Sequence, residues 1–232
     1  MTAACRALRR SVLVSALALA LAAAPGARAQ DLPQGFVDAA TLVEGLVVDM
    51  RYLGADNFVG ARVDGYEAAR CLLTRAAAEA LAKVARDIAD KGFVLKVFDC
   101  YRPKRAVAHF VRWARDLDDR ATKPMFYPQL DKQDLFKLGY IAERSGHSRG
   151  STLDLTLARA DGGELDMGTR FDFFGPVSWP ASRSVSGEAR GNRMLLAGVM
   201  RQRGFLPYAR EWWHFTLRDE PFPNTYFDFP VR

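Results

Sequence analysis

The sequence predicts a single α+β domain with a mostly antiparallel central sheet flanked by helices. Three observations lead there. Segments with helical spacing of apolar residues and segments with two-residue alternation both occur, and they do not follow one another in the regular order that a parallel βαβ series needs. No internal repeat or low-complexity tract interrupts the chain beyond residue 30. The third is length: the chain has 232 residues, and about 200 are enough for one domain with a core of its own.

Residues 1–29 stand apart from that domain. Arg6, Arg9 and Arg10 precede an apolar run from Ser11 to Ala24 that ends in Ala27-Arg28-Ala29, the small-x-small pattern of a cleaved secretory signal. The run is too short to anchor a mature protein, so no stable membrane insertion is expected after cleavage. The exported domain is expected over residues 30–232, with the periplasm as its compartment.

Thr74 to Lys91 opens with a capping threonine, carries Ala77, Leu81, Val84, Ala85 and Ile88 at helical spacing, and stops at Gly92. "FVLKVF", Phe93 to Phe98, reads as a strand. Pro103 to Leu117 reads as a second helix, with the proline in its first turn, where a missing N–H does no harm. From Asp118 to Arg144 the pattern is broken by Pro124, Pro128 and Gly139, which predicts an irregular excursion over the surface. Ser151 to Leu157 alternates as a strand, residues 158–187 are irregular, a helix is expected from Glu188 to Arg203, and "EWWHFTL", Glu211 to Leu217, is the last strand.

The formal charge of +6 overstates the exported domain. Residues 1–29 hold four arginines and no acids, which leaves 29 basic residues against 27 acidic ones. With no basic run left, nucleic acid is not an expected partner. Cys5 departs with the signal, so Cys71 and Cys100 remain, an even pair in an oxidising compartment. A disulfide is expected from them, with two buried thiols as the other reading.

One strand poses a chemical question. In "SGHSRGSTLDLTL" the leucines 153, 155 and 157 share one face, while Thr152, Asp154 and Thr156 share the other. In "EWWHFTL" His214 lies on the less apolar face in the same way, so neighbouring strands would bring Asp154 and His214 together. His147 is an odd seven residues from Asp154 and joins them only if "SGHSRG" is a turn that folds it back, which Gly146 and Gly150 favour. Two histidines and one carboxylate form a zinc set of the catalytic type, with a fourth position for water. Beside it Glu211, three residues before His214, would act as general base. Arg102 is held extended by Pro103 and is either an oxyanion stabiliser or an ordinary surface guanidinium. His109, in "AVAHFVRW", reads as a half-exposed helix residue without a role.

These residues sit in blocks that resemble the zinc D-alanyl-D-alanine dipeptidases of the vancomycin-resistance type, peptidase family M15. The blocks are "RYLGADNFVG", "VDGYE", "YRPKRAV", "SGHSRGSTLDLTL", "MGTRFDF", "EWWHF" and "RDEPFPNTYFDFPVR", in order along the whole exported domain. The resemblance implies one zinc ion per chain held by His147, Asp154 and His214, with Glu211 as general base and Arg102 as the transition-state arginine. It also implies that Asp172 meets the substrate's free amino group and that Ser145 and Tyr52 line the same small pocket. Thr152 stands where a small alanine is common in that family, one strand step from Asp154. The export signal and the Cys71/Cys100 pair also depart from the cytoplasmic resistance enzymes, which implies wall turnover or recycling as the setting.

Three functions follow from these readings. The first is hydrolysis of the small substrate D-alanyl-D-alanine to free D-alanine. The second keeps the metal but acts as a D,D- or L,D-carboxypeptidase on peptidoglycan stem peptides. The third, a zinc-stabilised binding module without catalysis, would have no use for Glu211 and Arg102.

Overall fold

The computed structural model describes Met1 and residues 32–232, so the expected export signal lies outside the described residues apart from Met1. In chain order the strands and helices are β1 (Phe36–Asp38), β2 (Val47–Val48), β3 (Leu72–Thr74), α1 (Arg75–Ala89), β4 (Phe93–Asp99), α2 (Lys104–Arg115), α3 (Lys123–Phe126), β5 (Thr152–Arg159), α4 (Gly187–Gln202), β6 (Phe205–Pro207) and β7 (His214–Leu217). Thr74 caps α1 as expected, its hydroxyl accepting from the Ala77 amide at 3.3 Å, an arrangement worth about 1 kcal/mol. Leu81, Val84 and Ile88 of α1 are fully buried, each contributing roughly 1.5–3 kcal/mol through burial.

Five strands form the central sheet in the order β2-β4-β5-β7-β6, antiparallel throughout except for β2 beside β4. A two-stranded ribbon pairs β1 with β3. Helices α1 and α4 pack on each other and on the sheet, over the face that carries Val97, Leu153, Leu155 and Phe215. The other face carries Asp154 and His214, which pair directly across β5 and β7. The alternation read in the two segments therefore does place acid and histidine side by side.

One irregularity matters for function. Val97 pairs with Leu155, yet Asp99 pairs with Asp154, so Phe98 is an extra residue in β4. Such a bulge re-aims the side chain that follows it. Asp99 would share the face of Val97 under plain alternation, and the bulge puts it on the face of Asp154 instead.

Elsewhere the structure corrects the sequence reading. The segment from Asp118 to Arg144 is irregular, but it is no mere excursion: Phe126, Tyr127, Leu135 and Ile141 are all buried, and Ile141 lines the cavity that holds Asp154 and His214. Apolar anchors spaced without period hold such a segment to a core that no helical or strand pattern announces. The last strand is shorter than expected, beginning at His214, with Glu211 to Trp213 in the turn before it. Likewise β4 ends at Asp99, three residues before Arg102, and Pro103 caps α2 from outside the helix. Cys71 and Cys100 are joined in a disulfide that ties the start of β3 to the end of β4.

Candidate active site

The turn "SGHSRG" answers the question set by His147. Gly146 to Arg149 form a single 3₁₀ turn, begun by the Ser145 hydroxyl accepting from the His147 amide at 3.2 Å. Gly150 ends it with φ 83°, and a Cβ there would meet the Phe36 ring at 2.3 Å, so both the backbone angle and the space require glycine. The turn bends His147 back over β5. Its Nε2 then lies 3.4 Å from Asp154 Oδ2 and 3.3 Å from His214 Nδ1, which is itself 3.1 Å from Asp154 Oδ1.

The residues present fit a metal ion. One ligand atom from each of His147, Asp154 and His214 lies within 4.8 Å of the others. Tetrahedral ligands about 2.0–2.1 Å from zinc would be roughly 3.3 Å apart, close to the separations found. Asp154 Oδ1 is buried and makes no hydrogen bond among the described residues. His147 Nδ1 donates to the Cys100 carbonyl at 2.7 Å, so its proton is on Nδ1 and the lone pair of Nε2 faces the centre. Burial opposes ionisation of Asp154, but the two imidazoles hold its carboxyl well below the usual range.

All eight side chains singled out in the sequence line one cavity of about 290 Å³: Tyr52, Arg102, Ser145, His147, Asp154, Asp172, Glu211 and His214. Glu211 Oε2 stands 3.5 Å from His214 Nδ1, and burial pushes the Glu211 carboxyl up to about 7. A carboxyl of that affinity can both take and return a proton near neutrality. Asp172 is the only described non-glycine residue with positive φ, at 60°, a conformation that aspartate tolerates better than most. It accepts from the Tyr52 hydroxyl at 2.9 Å, and burial together with the charge of Asp154 raises its pKa well above the usual range.

Arg102 is not a surface guanidinium. It lies over the rings of Tyr52 and Phe110, 5.1 and 4.9 Å from their centroids, and is 12% exposed. Its Nη2 is 2.8 Å from Asp99 Oδ2 and 3.6 Å from Asp154 Oδ2, while Nη1 reaches the Ser145 hydroxyl at 3.5 Å. Asp99 is the functional residue that sequence reasoning missed. Fully buried, it accepts from Tyr66 at 2.6 Å, from the Cys100 amide at 2.9 Å and from Arg102 Nε at 2.9 Å, and its Oδ2 is 3.3 Å from His147 Nδ1. An acid closing an apolar strand three residues before an arginine was the available signal, but plain alternation along β4 would put it on the wrong face.

Two further residues lie clear of this chemistry. Thr152 turns its hydroxyl to Thr216, at 2.9 Å, and packs beneath Gly146, where a Cβ would come within 2.9 Å of its oxygen. His109, on α2, accepts from the Asp64 amide at 3.2 Å.

Comparison with known proteins fits this geometry. Residues 33–232 match the family profile described as D-ala-D-ala dipeptidase, Peptidase_M15. The chain belongs to this peptidase family. Among its members it is 46% identical to the D-alanyl-D-alanine dipeptidase of Enterococcus faecium over 199 residues, covering 85% of this chain and 98% of that one. The Streptomyces coelicolor dipeptidase is 46% identical over 197 residues, covering 84% of this chain and 96% of the relative. That of Escherichia coli is 36% identical over 181 residues, 78% and 83% of the two chains. The D-ala-D-ala dipeptidase family thus accounts for the whole described domain, including the cavity.

Proposed function

We propose that the protein hydrolyses D-alanyl-D-alanine to two molecules of D-alanine, using zinc held by His147, Asp154 and His214. The observation that carries this reading is the meeting, in one small cavity, of that donor set with Glu211 and with the buried Asp172–Tyr52 pair. The chemistry such an ion supplies when bound is Lewis acidity toward the scissile carbonyl and toward a water.

The chain's own residues do the rest. Glu211 takes the proton of the attacking water and returns it to the departing amine nitrogen as the C–N bond breaks. Arg102, locked by Asp99, presents a fixed cation to the negative charge that gathers on the carbonyl oxygen. Asp172 receives the substrate's ammonium, with the Tyr52 hydroxyl orienting its carboxylate. An acylated amino terminus would leave Asp172 buried without a cation, so the same contact limits how far the substrate extends on that side.

Export to the periplasm belongs to the same proposal. Its supports are the arginine-led apolar run over residues 1–29 and the Cys71–Cys100 disulfide, a bond that persists in oxidising compartments. No helix among the described residues is long and apolar enough to cross a membrane. There the enzyme would act on dipeptide released during wall turnover. Amino-terminal sequencing of protein from the envelope fraction should begin near residue 30, and an uncleaved chain active in the cytosol would count against export.

The deciding assay measures free D-alanine from D,D-, L,D- and L,L-dipeptides, with and without chelator. D-Ala-D-Ala should be cleaved only without chelator, and its N-acetyl derivative should not be cleaved. Comparable turnover of the acetylated compound and of stem peptides would replace the dipeptidase by the carboxypeptidase reading.

A further inference from the structure

A second chamber of about 310 Å³ adjoins the catalytic cavity beside Ser145, and Val107, Arg144 and Ser145 line both. The charges along the two chambers are unevenly matched. In the first, Arg102 is committed to Asp99 and Asp154, and Asp172 is left for a cation. In the second, Glu143 is taken by Arg115 at 3.0 Å. Arg144 has no carboxylate within ion-pair distance among the described residues; its guanidinium lies 4.2 Å from the centroid of the Tyr226 ring. Ser148 lines the same chamber, is 1% exposed, and its hydroxyl has no hydrogen-bond partner among the described residues.

A zwitterionic dipeptide brings two charges into the site, and Asp172 answers only one. We infer that Arg144, with the Ser148 hydroxyl, is the subsite for the substrate's terminal carboxylate. The chemistry suits it: a planar guanidinium stacked on an aromatic ring is held in orientation yet keeps donors for a carboxylate. A buried hydroxyl without a partner supplies a further donor where the free chain wastes one. Arg102 is engaged otherwise, its Nε and Nη2 facing Asp99 and its remaining donors assigned to the carbonyl oxygen. The inference rests on the dipeptidase reading and adds to it the group that makes the enzyme count the far end of its substrate. Asp172 and Arg144 then bracket the dipeptide by charge.

The test compares D-Ala-D-Ala with its C-terminal amide on zinc-loaded wild type, Arg144→Ala, Arg144→Lys and Ser148→Ala. Wild type should prefer the free acid by at least about tenfold in kcat/KM, as loss of a charge-assisted hydrogen bond implies. In Arg144→Ala the KM for the acid should rise by about tenfold or more, with a much smaller change in kcat, and the acid-to-amide preference should fall toward one. Arg144→Lys should recover part of it, and Ser148→Ala should lower it by a smaller factor. An acid-to-amide ratio in Arg144→Ala equal to that of wild type would overturn the assignment. A wild type that releases D-alanine from neither compound would instead overturn the dipeptidase reading, and this subsite with it.

Discussion

Replacing Asp99 by Asn changes one atom and removes one charge, and its effect can be worked from the contacts. Four donors converge on the Asp99 oxygens, Tyr66, the Cys100 amide and two nitrogens of Arg102, and Nδ1 of His147 lies 3.3 Å from Oδ2. An asparagine can keep an oxygen toward Arg102 only by turning its NH₂ toward the Cys100 amide, donor against donor. The Arg102 guanidinium then stays buried with Asp154, at 3.6 Å, as its remaining carboxylate, so it competes for a metal ligand. Removing one partner of a buried ion pair costs about 3–5 kcal/mol. For a domain of this size that lowers the melting temperature by on the order of 10 °C. Arg102 drawn onto the ligand Asp154, with the charge beside His147 lost, should also weaken zinc, by roughly 10-fold. Urea unfolding and competition with a chromogenic zinc chelator measure the two effects separately. An Asp99→Asn protein within about 1 kcal/mol of wild type and with equal zinc affinity would refute the account of Asp99 given above.

Other outcomes follow from the same contacts. Burial lifts Glu211 from 4.5 to about 7 in the metal-free chain, so the folded state holds a proton that the unfolded chain has lost between those values. Stability contributed by this group therefore falls as pH rises through that window, by up to about 3 kcal/mol. Glu211→Gln should accordingly raise the melting temperature of metal-free protein at pH 8 and not at pH 4, while abolishing D-alanine release and sparing zinc content. Removing both cysteines, whose sequence separation is 29, should cost about 3–4 kcal/mol in chemical denaturation. Arg193 is buried and donates to the carbonyls of Met167, Val177 and Trp179, so it pins both ends of the segment that carries Asp172. Arg193→Met should raise KM for D-Ala-D-Ala while narrowing its preference over the N-acetyl dipeptide. An unchanged preference would mean that Arg193 serves stability alone.

The parts of the fold that were legible in the sequence are those with long periods. Helix α1, strand β5 and helix α4 each show enough turns or alternations to declare themselves, and the Asp154–His214 pair followed from alternation in β5 and β7, while His147 needed the turn before β5 to reach it. Strands β1, β2, β3 and β6 have two or three residues each, too few for any pattern. Their placement comes from partners distant in the chain, such as Gly35 accepting from the Arg75 amide and Val97 accepting from the Asp49 amide. Arg102 could be read only as extended, since its burial depends on Tyr52 and Phe110 closing over it. Asp172 was visible through family resemblance alone, because a loop acid at positive φ has no local pattern to mark it. Asp99 was hidden by one inserted residue.

That inserted residue has a consequence of its own. A sheet surface is served by residues of one parity, and β4 changes parity at Phe98. Lys96 reaches the catalytic surface as an even-numbered residue, and beyond the bulge odd-numbered Asp99 does so. No point substitution can undo this, since exchanging side chains leaves the count of residues intact. Inserting one residue between Phe98 and Asp99 would, by turning Asp99 to the apolar side and away from Arg102 and His147, whereas deleting Phe98 would make Asp99 the residue after Val97 and leave it opposite Asp154. In this fold the electrostatic frame of the site is therefore encoded in the spacing of the chain, and an added residue can undo it where exchange of one residue for another cannot.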